Sequence, residues 1–538
     1  MGQRLVTIRA LHFLPDVPIP LVPSAHPRIA PGLAATGRAP LTLALAGLLL
    51  ASATHVAAQV PLQDDGGLRV LPAAVRIGVE RIRLPGNEQM GLVGTSYLLQ
   101  VAPGVSMGPA AYAAISGRRG GFFTVGVEAA WHRRLVGPLG IEAGFYAGGG
   151  GGGAAPVGGG LMLRPHVDLL WDLGGYRAGV SLSQVRFANG AINSQQLGLV
   201  WSTGTDFRYL LPDRIGPRSS ASSSVGGRTG IGFDRVQAVA GVYRPRGKAT
   251  RLSGGPLPAR IGLVGIRLER ALSDNAYWGV EAAGAGSGSV AGYAEYLATV
   301  GTERAVWGDR LTLGGRVALG LGGGGDIGVG GGLLAKAAVY GIVRLSHDLG
   351  LSLEGGTTRA PQGSFRALHA SVALNWILDD PGDPSAGSHS TRTEWVAGVS
   401  RYQAARKDGT QRELDAVTLK INRFVSSSVY LSGQAHSAFG GGAGGYSVGL
   451  FGVGVQMPVA TGWRIGAEAL AGAAGGGGVD TRGGTLLQPM AYVDTDLGRS
   501  LSLRLGVGRL KALRGPFSST VVDLSLVFPF GVTSHVAR

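Results

Sequence analysis

Short segments in which apolar and polar residues alternate recur along almost the whole chain. In LSLRLGVG, Leu501, Leu503, Leu505 and Val507 share one face, and Ser502, Arg504, Gly506 and Gly508 share the other. In ALHASVALNW, Ala370, Val372, Leu374 and Trp376 oppose His369, Ser371, Ala373 and Asn375. A period of two places successive side chains on opposite faces of a sheet, so these segments read as strands with one apolar face. Over 231–378 the pattern predicts eight strands, near 235–244, 260–271, 276–284, 290–302, 310–320, 333–345, 349–357 and 365–377. Their connections alternate in kind. Leu272-Ser273-Asp274-Asn275, Trp307-Gly308-Asp309 and Ser346-His347-Asp348 are short and polar, whereas RPRGKATRLSGGPLPA, GLGGGGDIGVGGG and TTRAPQGS are longer and rich in Gly, Arg and Pro. Short turns at one end and long loops at the other characterise strands that cross an outer membrane.

The same pattern occurs three times. LGIEAGFYAGGGGGGAAPVGGGLML from Leu139, LTLGGRVALGLGGGGDIGVGGGLLA from Leu311 and WRIGAEALAGAAGGGGVDTRGGTLL from Trp463 align with one another. Each is followed by a Leu-Gly turn, and each unit closes on a strand ending in an aromatic, at Trp201, Trp376 and Phe528. Repeats at a fixed period are the first thing a fold must explain. The expected fold class is therefore all-β: a transmembrane antiparallel up-and-down β-barrel of three tandem eight-stranded units. The expected boundaries are an N-terminal extension and signal peptide at 1–58, units at 59–211, 231–378 and 393–538, and Ser/Gly/Pro-rich linkers at 212–230 and 379–392. Twenty-four strands close either as three small barrels or as one 24-stranded barrel. The linkers favour three, as does a lumen face read as small at Thr312, Gly314, Ala318, Gly320, Ser352 and Ser502.

Composition removes the competing classes. The chain of 538 residues holds 95 glycines and no cysteine, and 15% of it is charged against 45% hydrophobic. Disordered chains show the opposite balance, and absence of cysteine excludes disulfides and a lipidated-cysteine anchor. Residues 41–53, LTLALAGLLLASA, follow Arg38 and precede Val56-Ala57-Ala58. A basic, then apolar, then small-residue order is that of a cleaved export signal, and the stretch is too short to span a bilayer. A soluble sandwich shares the strand period, but an apolar face in nearly every strand, aromatic strand ends and an export signal favour the barrel. In hydrocarbon the sheet must close, because an open edge leaves unpaired backbone groups.

Each unit resembles the small eight-stranded outer-membrane barrels of Gram-negative bacteria, the OmpA/OmpX-like class. The strand ending at Phe528 is similar to the C-terminal signal read by that family's barrel-assembly machinery, although ten residues follow it here. The resemblance implies the outer membrane as location, and lipid, lipopolysaccharide and the assembly machinery as partners.

Chemistry-bearing motifs are sparse. Gly104-Val-Ser106-Met-Gly108 and Gly445-Tyr-Ser447-Val-Gly449 have nucleophile-elbow spacing, but neither lies between a strand and a helix. The glycine runs 148–153, 321–325 and 475–478 are not followed by Gly-Lys-Ser/Thr and read as tight hairpins. The one constellation with catalytic composition is Ser371, His369 and Glu354. A hairpin centred near 361–362 sets Glu354 opposite His369 on the face of Ser371, and a Ser-His-Glu set can run acyl transfer. The His-x-Ser spacing is similar to that of outer-membrane lipid A deacylases, which implies an acyl hydrolase. The lumen-facing parity, and the lack of the pair in the other units (Ser194/Gln196 and Val521/Asp523), favour a Glu–His bond that fixes the interior instead. No catalytic residue, cofactor or metal site is expected.

The formal charge is +16. Arg118, Arg119, Arg244, Arg246, Lys248, Arg251, Arg406, Lys407 and Arg412 fall in the expected outer loops, where anionic lipopolysaccharide is held electrostatically. No aromatic-interleaved basic groove suggests nucleic acid. The sequence thus leads to a non-enzymatic outer-membrane protein with a structural or surface-interaction role. The alternative is a porin-like passive diffusion channel formed by one wide barrel, and an acyl hydrolase comes third.

Overall fold

A computed structural model describes residues 68–212, 215, 232–308, 310–379, 388–498 and 500–535. The expected export signal at 1–58 and most of the 212–230 stretch lie outside these residues. The described chain is almost entirely strand. The first eight strands are β1 (Leu68–Arg83), β2 (Gln89–Ala102), β3 (Val105–Ser116), β4 (Phe123–Val136), β5 (Leu139–Gly151), β6 (Met162–Asp172), β7 (Tyr176–Phe187) and β8 (Asn193–Leu210). The next are β9 (Arg235–Pro245), β10 (Ile261–Ser273), β11 (Ala276–Ala285), β12 (Ala294–Trp307), β13 (Leu311–Gly323), β14 (Leu333–Arg344), β15 (Leu349–Arg359) and β16 (Arg366–Ile377). The last are β17 (Ser388–Ala405), β18 (Gln411–Phe424), β19 (Val429–Ala438), β20 (Ser447–Ala460), β21 (Trp463–Gly475), β22 (Thr485–Gly498), β23 (Leu501–Ala512) and β24 (Ser518–His535).

All pairings between neighbouring strands are antiparallel, and the architecture is that of a β-barrel. Strands β9 to β16 close on themselves through the β9–β16 pair. The other sixteen strands form one hydrogen-bonded sheet in which β1 also pairs with β8, and β17 pairs with β24. A single pair, Gly531 with Leu210, connects β24 to β8. One ring of twenty-four would need β8 on β9 and β16 on β17, and neither pairing occurs among the described residues.

Alternation along the strands does what the sequence pattern requires. On one face, Val317, Leu319, Val339 and Leu353 are exposed, as are Leu197, Leu199, Leu505 and Val507 in the other strands. On the opposite face, Arg316, Lys336, Glu354, Arg504 and Gln196 are buried. Polar side chains inside and large aliphatics outside invert a soluble protein and match a wall facing lipid. Among the described residues no helix is long and apolar enough to cross a membrane.

Three differences from the sequence reading have local causes. The strand expected from residue 290 starts at Ala294, because Ser289 and Gly292 have positive φ and belong to the preceding loop. β24 runs to His535, seven residues past Phe528, because its far end pairs with β17 down to Ser388–His535. β17 therefore begins inside the stretch expected as the 379–392 linker.

The glycine runs do more than turn hairpins. Gly121, Gly292 and Gly445, each just before an aromatic and a fourth strand, have φ of 87, 93 and 86°. They abut Gly324, Gly476 and Gly152, whose φ values are 83, 90 and 112°. A Cβ at Gly292 would lie 2.8 Å from the Gly476 nitrogen, and one at Gly445 would lie 2.8 Å from that of Gly152. Only glycine permits this combination of left-handed backbone and close approach. Backbone bonds reinforce the contacts: Gly120 N–H donates to Gly330 O at 3.0 Å, and Gly445 N–H to Gly150 O at 3.1 Å. The contacts follow a cycle, from β1–β8 to β9–β16, from β9–β16 to β17–β24, and from β17–β24 back to β1–β8. All lie at the long-loop end. At the short-turn end, Phe207 packs on Trp395 and Phe530 with centroids 5.0 and 5.2 Å apart.

Candidate functional site: the charged lumens

The polar faces enclose buried networks of ions. Inside β9–β16, Arg267 on β10 reaches Glu281 on β11 at 2.8 Å and Glu354 on β15 at 2.8 Å. Arg316 on β13 lies between the same carboxylates, 2.9 Å from Glu281 and 2.7 Å from Glu354. Lys336 on β14 pairs with Glu281 and, at 2.8 Å, with Glu295 on β12. Tyr243 and Tyr293 donate their hydroxyls to Glu295 Oε2, both at 2.7 Å. Nearer the short turns, Arg235 bridges Glu269 and Glu303 at 2.6 and 2.7 Å. Four cations thus face five carboxylates along one column.

The other two groups of strands repeat the idea with different residues. Within β1–β8, Arg76 touches Glu128 at 2.7 Å and also pairs with Asp168, while Arg164 chelates Glu80 at 2.9 and 3.0 Å. His166 lies 3.1 Å from Asp168 and 3.4 Å from Glu128. Within β17–β24, Arg504 reaches Asp494 at 2.7 Å and Glu394 at 2.9 Å, with its guanidinium 3.9 Å over the Tyr492 ring. Lys420 holds Glu468 at 2.7 Å, and Tyr430 donates to the same carboxylate at 2.8 Å.

These lumens correct the reading of a small-residue interior. Thr312, Gly314, Ala318 and Gly320 do face inward, but Arg316 stands among them on the same face of β13. Glu354 follows Ser352, and Arg504 follows Ser502, by the same period of two. The signal was present in the alternation. The partners were not, because Arg316 meets β11 and β15, which flank its neighbours, and only the curvature of a closed barrel brings those strands within reach.

The Ser371, His369 and Glu354 constellation is assembled only in part. The register pairs Glu354 with Ser371 and Gly356 with His369, two residues from the expected alignment. The hairpin is closed by Ala360 N–H on Phe365 O at 2.9 Å, which centres it between 362 and 363. His369 Nε2 lies 3.3 Å from Glu354, and its Nδ1 lies 3.2 Å from the Thr358 hydroxyl. The Ser371 hydroxyl is buried and has no hydrogen-bond partner among the described residues. A general base must reach the proton that it removes. Here Glu354 is committed to two guanidiniums, and His369 does not bond the serine.

The GxSxG serines are equally plain. Ser447 shares a hydroxyl contact of 3.1 Å with Ser437 across a strand pair. Of the expected loop cations, Arg119 is paired with Glu88, and Arg406 donates to the carbonyls of Gly441 and Gly477. Arg412 lies 3.4 Å from Asp408 on the exposed surface.

No protein-family model matches the chain, and no curated protein is similar to it. Solved structures do match. OccK1 (OpdK) of Pseudomonas aeruginosa is 11% identical, with 87% of this chain and 100% of that chain covered and a TM-score of 0.19. A BenF-like porin from Pseudomonas fluorescens Pf-5 is 7% identical over 87% and 99%, with a TM-score of 0.20. The FrpB iron transporter from Neisseria meningitidis is 9% identical over 86% and 81%, with a TM-score of 0.25. At such scores the chains do not superpose, and the lipid-facing wall and polar lumens described above carry the assignment. These neighbours include a BenF-like porin and an iron transporter, and the expectation of a non-channel structural or surface-interaction role is withdrawn. The chain is a transmembrane, antiparallel β-barrel protein of the bacterial outer membrane.

Proposed function

We propose that this protein is a porin-like channel in which three eight-stranded barrels, tandem in one chain, each conduct small ions or polar solutes through their own lumen. The observation that carries the reading is the shared-carboxylate column, seen most fully inside β9–β16. Burying ion pairs costs desolvation, and packed apolar side chains of similar volume plug a lumen at least as stably. Charges with alternative partners suit passage better than permanent closure. Arg316 already touches both Glu281 and Glu354, so sliding fully onto one carboxylate frees the other for a passing cation. Excess carboxylate in the columns of β1–β8 and β9–β16 gives a preference for cations. The barrel-assembly and lipopolysaccharide partners inferred from the sequence fit this arrangement.

The test is recording from the full chain in planar bilayers. We expect small cation-preferring conductance in up to three levels, with Glu354→Gln changing one level and leaving the others. Silence of both wild type and Glu354→Gln would overturn the channel reading. One large level would overturn separate conduction by three lumens.

A further inference from the structure

Between the three groups of strands lies a cavity of 1170 Å³ that belongs to none of the lumens. Its wall is made mainly of outward-facing residues from all three, among them Val127, Ala238, Ile266, Tyr296, Phe451 and Leu526, with lumen-facing residues such as Lys420 also contributing atoms to it. At the long-loop end it is closed by the glycine cycle, since Gly121, Gly292 and Gly445 are themselves part of its lining. At the short-turn end its lining includes Arg69, Arg423, Tyr209, Trp376 and Trp395. Thus an apolar chamber is sealed at one end and rimmed by two cations and three aromatics at the other.

We propose that this chamber binds a phospholipid of the periplasmic leaflet, with acyl chains inside and the anionic phosphate at Arg69 and Arg423. The polarity of the site fixes its side, because short turns of outer-membrane barrels face the periplasm. Water is a poor occupant: an apolar cavity of about 150 Å³ already stays dry and takes up hydrocarbon instead. This chamber is several times larger, and its neighbours are the lipids in which the protein is embedded. Charge complementarity supplies the headgroup. Arg69 Nε is buried at the mouth with no hydrogen-bond partner among the described residues, while Arg423 donates from Nη1 to Thr393 at 3.0 Å and also feels the Asp379 carboxylate, so Arg69 is the stronger anchor for an anion. Guanidiniums match phosphate oxygens with paired, charge-assisted bonds. Aromatics such as Trp376 and Trp395 suit the boundary between headgroup and chain. The inference takes only its walls from the tandem-barrel reading and is independent of conduction, so silent bilayers leave it standing.

The test is native mass spectrometry of the full chain, extracted in mild detergent and exchanged until annular lipid is lost, with added phosphatidylglycerol as probe. Wild type should retain phospholipid. Ala397→Trp combined with Ala435→Trp, which fills the chamber, should lose it while the chain remains heat-modifiable. Arg69→Gln with Arg423→Gln should lower phosphatidylglycerol retention at least threefold. A wild type that carries only detergent, or equal retention by a folded chamber-filled variant, would overturn the proposal. If the filled variant does not fold, the arginine pair decides, and unchanged phosphatidylglycerol retention would overturn it.

Discussion

Replacing Glu354 by Gln keeps the shape of the side chain and removes the charge at the centre of one column. Glu354 accepts from Arg267 Nη2 at 2.8 Å and from Arg316 Nε and Nη2 at 2.7 and 2.8 Å, and lies 3.3 Å from His369 Nε2. Its side chain is only 2% exposed, so solvent does little to screen these contacts. Removing one partner from a buried pair costs about 3–5 kcal/mol, mostly for the charge left behind. Glu281 still touches both guanidiniums, at 2.8 and 2.9 Å, and the Gln carbonyl still accepts, which places the expected loss near the lower end. A loss of about 3 kcal/mol is roughly a hundredfold in the folding equilibrium. Urea unfolding of vesicle-embedded protein, followed by tryptophan fluorescence, measures it. Ser371→Ala is the control: its hydroxyl has no partner among the described residues, so its removal should change stability little or raise it slightly. Adding Arg316→Gln to Glu354→Gln should recover part of the loss, since the pair is coupled. A Glu354→Gln cost below about 1 kcal/mol, with no recovery in the double variant, would refute a buried, mutually dependent column.

Gly292→Ala should lower the unfolding temperature well beyond Gly308→Ala; both have positive φ, costing about 1–2 kcal/mol for a side chain, but only Gly292 faces a neighbouring backbone. Equal shifts, measured by heat-modified gel mobility, would show that the glycine contacts are not packed. Phe528→Asp, which puts a charge beside Tyr209 at the aromatic cluster (centroids 5.8 Å apart), should reduce the yield of assembled protein in outer-membrane fractions, and an unchanged yield would count against it. Residues 231–380 alone should fold in micelles as a heat-modifiable barrel with strand-rich circular dichroism, because β9 and β16 pair along their whole lengths. A disordered spectrum would refute that independence.

Strand identity and facing were legible from the period of two, since lipid outside and ions inside impose it on every residue. The strands expected at 276–284 and 349–357 match β11 and β15 to within a residue or two. What the pattern could not give is set by closure. The two-residue offset between Glu354 and His369 follows from the turn beyond Ala360, where several centres satisfy the same alternation. Some ion pairs, such as Arg267 with Glu281 and Arg504 with Asp494, face each other across neighbouring strands, but Arg316 meets carboxylates two strands away on either side, and no neighbouring-pair rule finds those. The glycine runs were readable as turns from composition alone. Their contacts with other glycines over a hundred residues away, as between Gly121 and Gly324, leave no periodic trace.

The cyclic order of those glycine contacts has a consequence for assembly. A head-to-tail interface either closes into a ring or propagates as a filament. Here one polypeptide supplies all three heads and all three tails, so every binding face is satisfied before a second molecule arrives. The full chain should therefore remain solitary in detergent however concentrated it becomes. A chain ending near residue 379 would leave the faces of Gly292 and Gly152 unmatched, and light scattering should find it recruiting further copies.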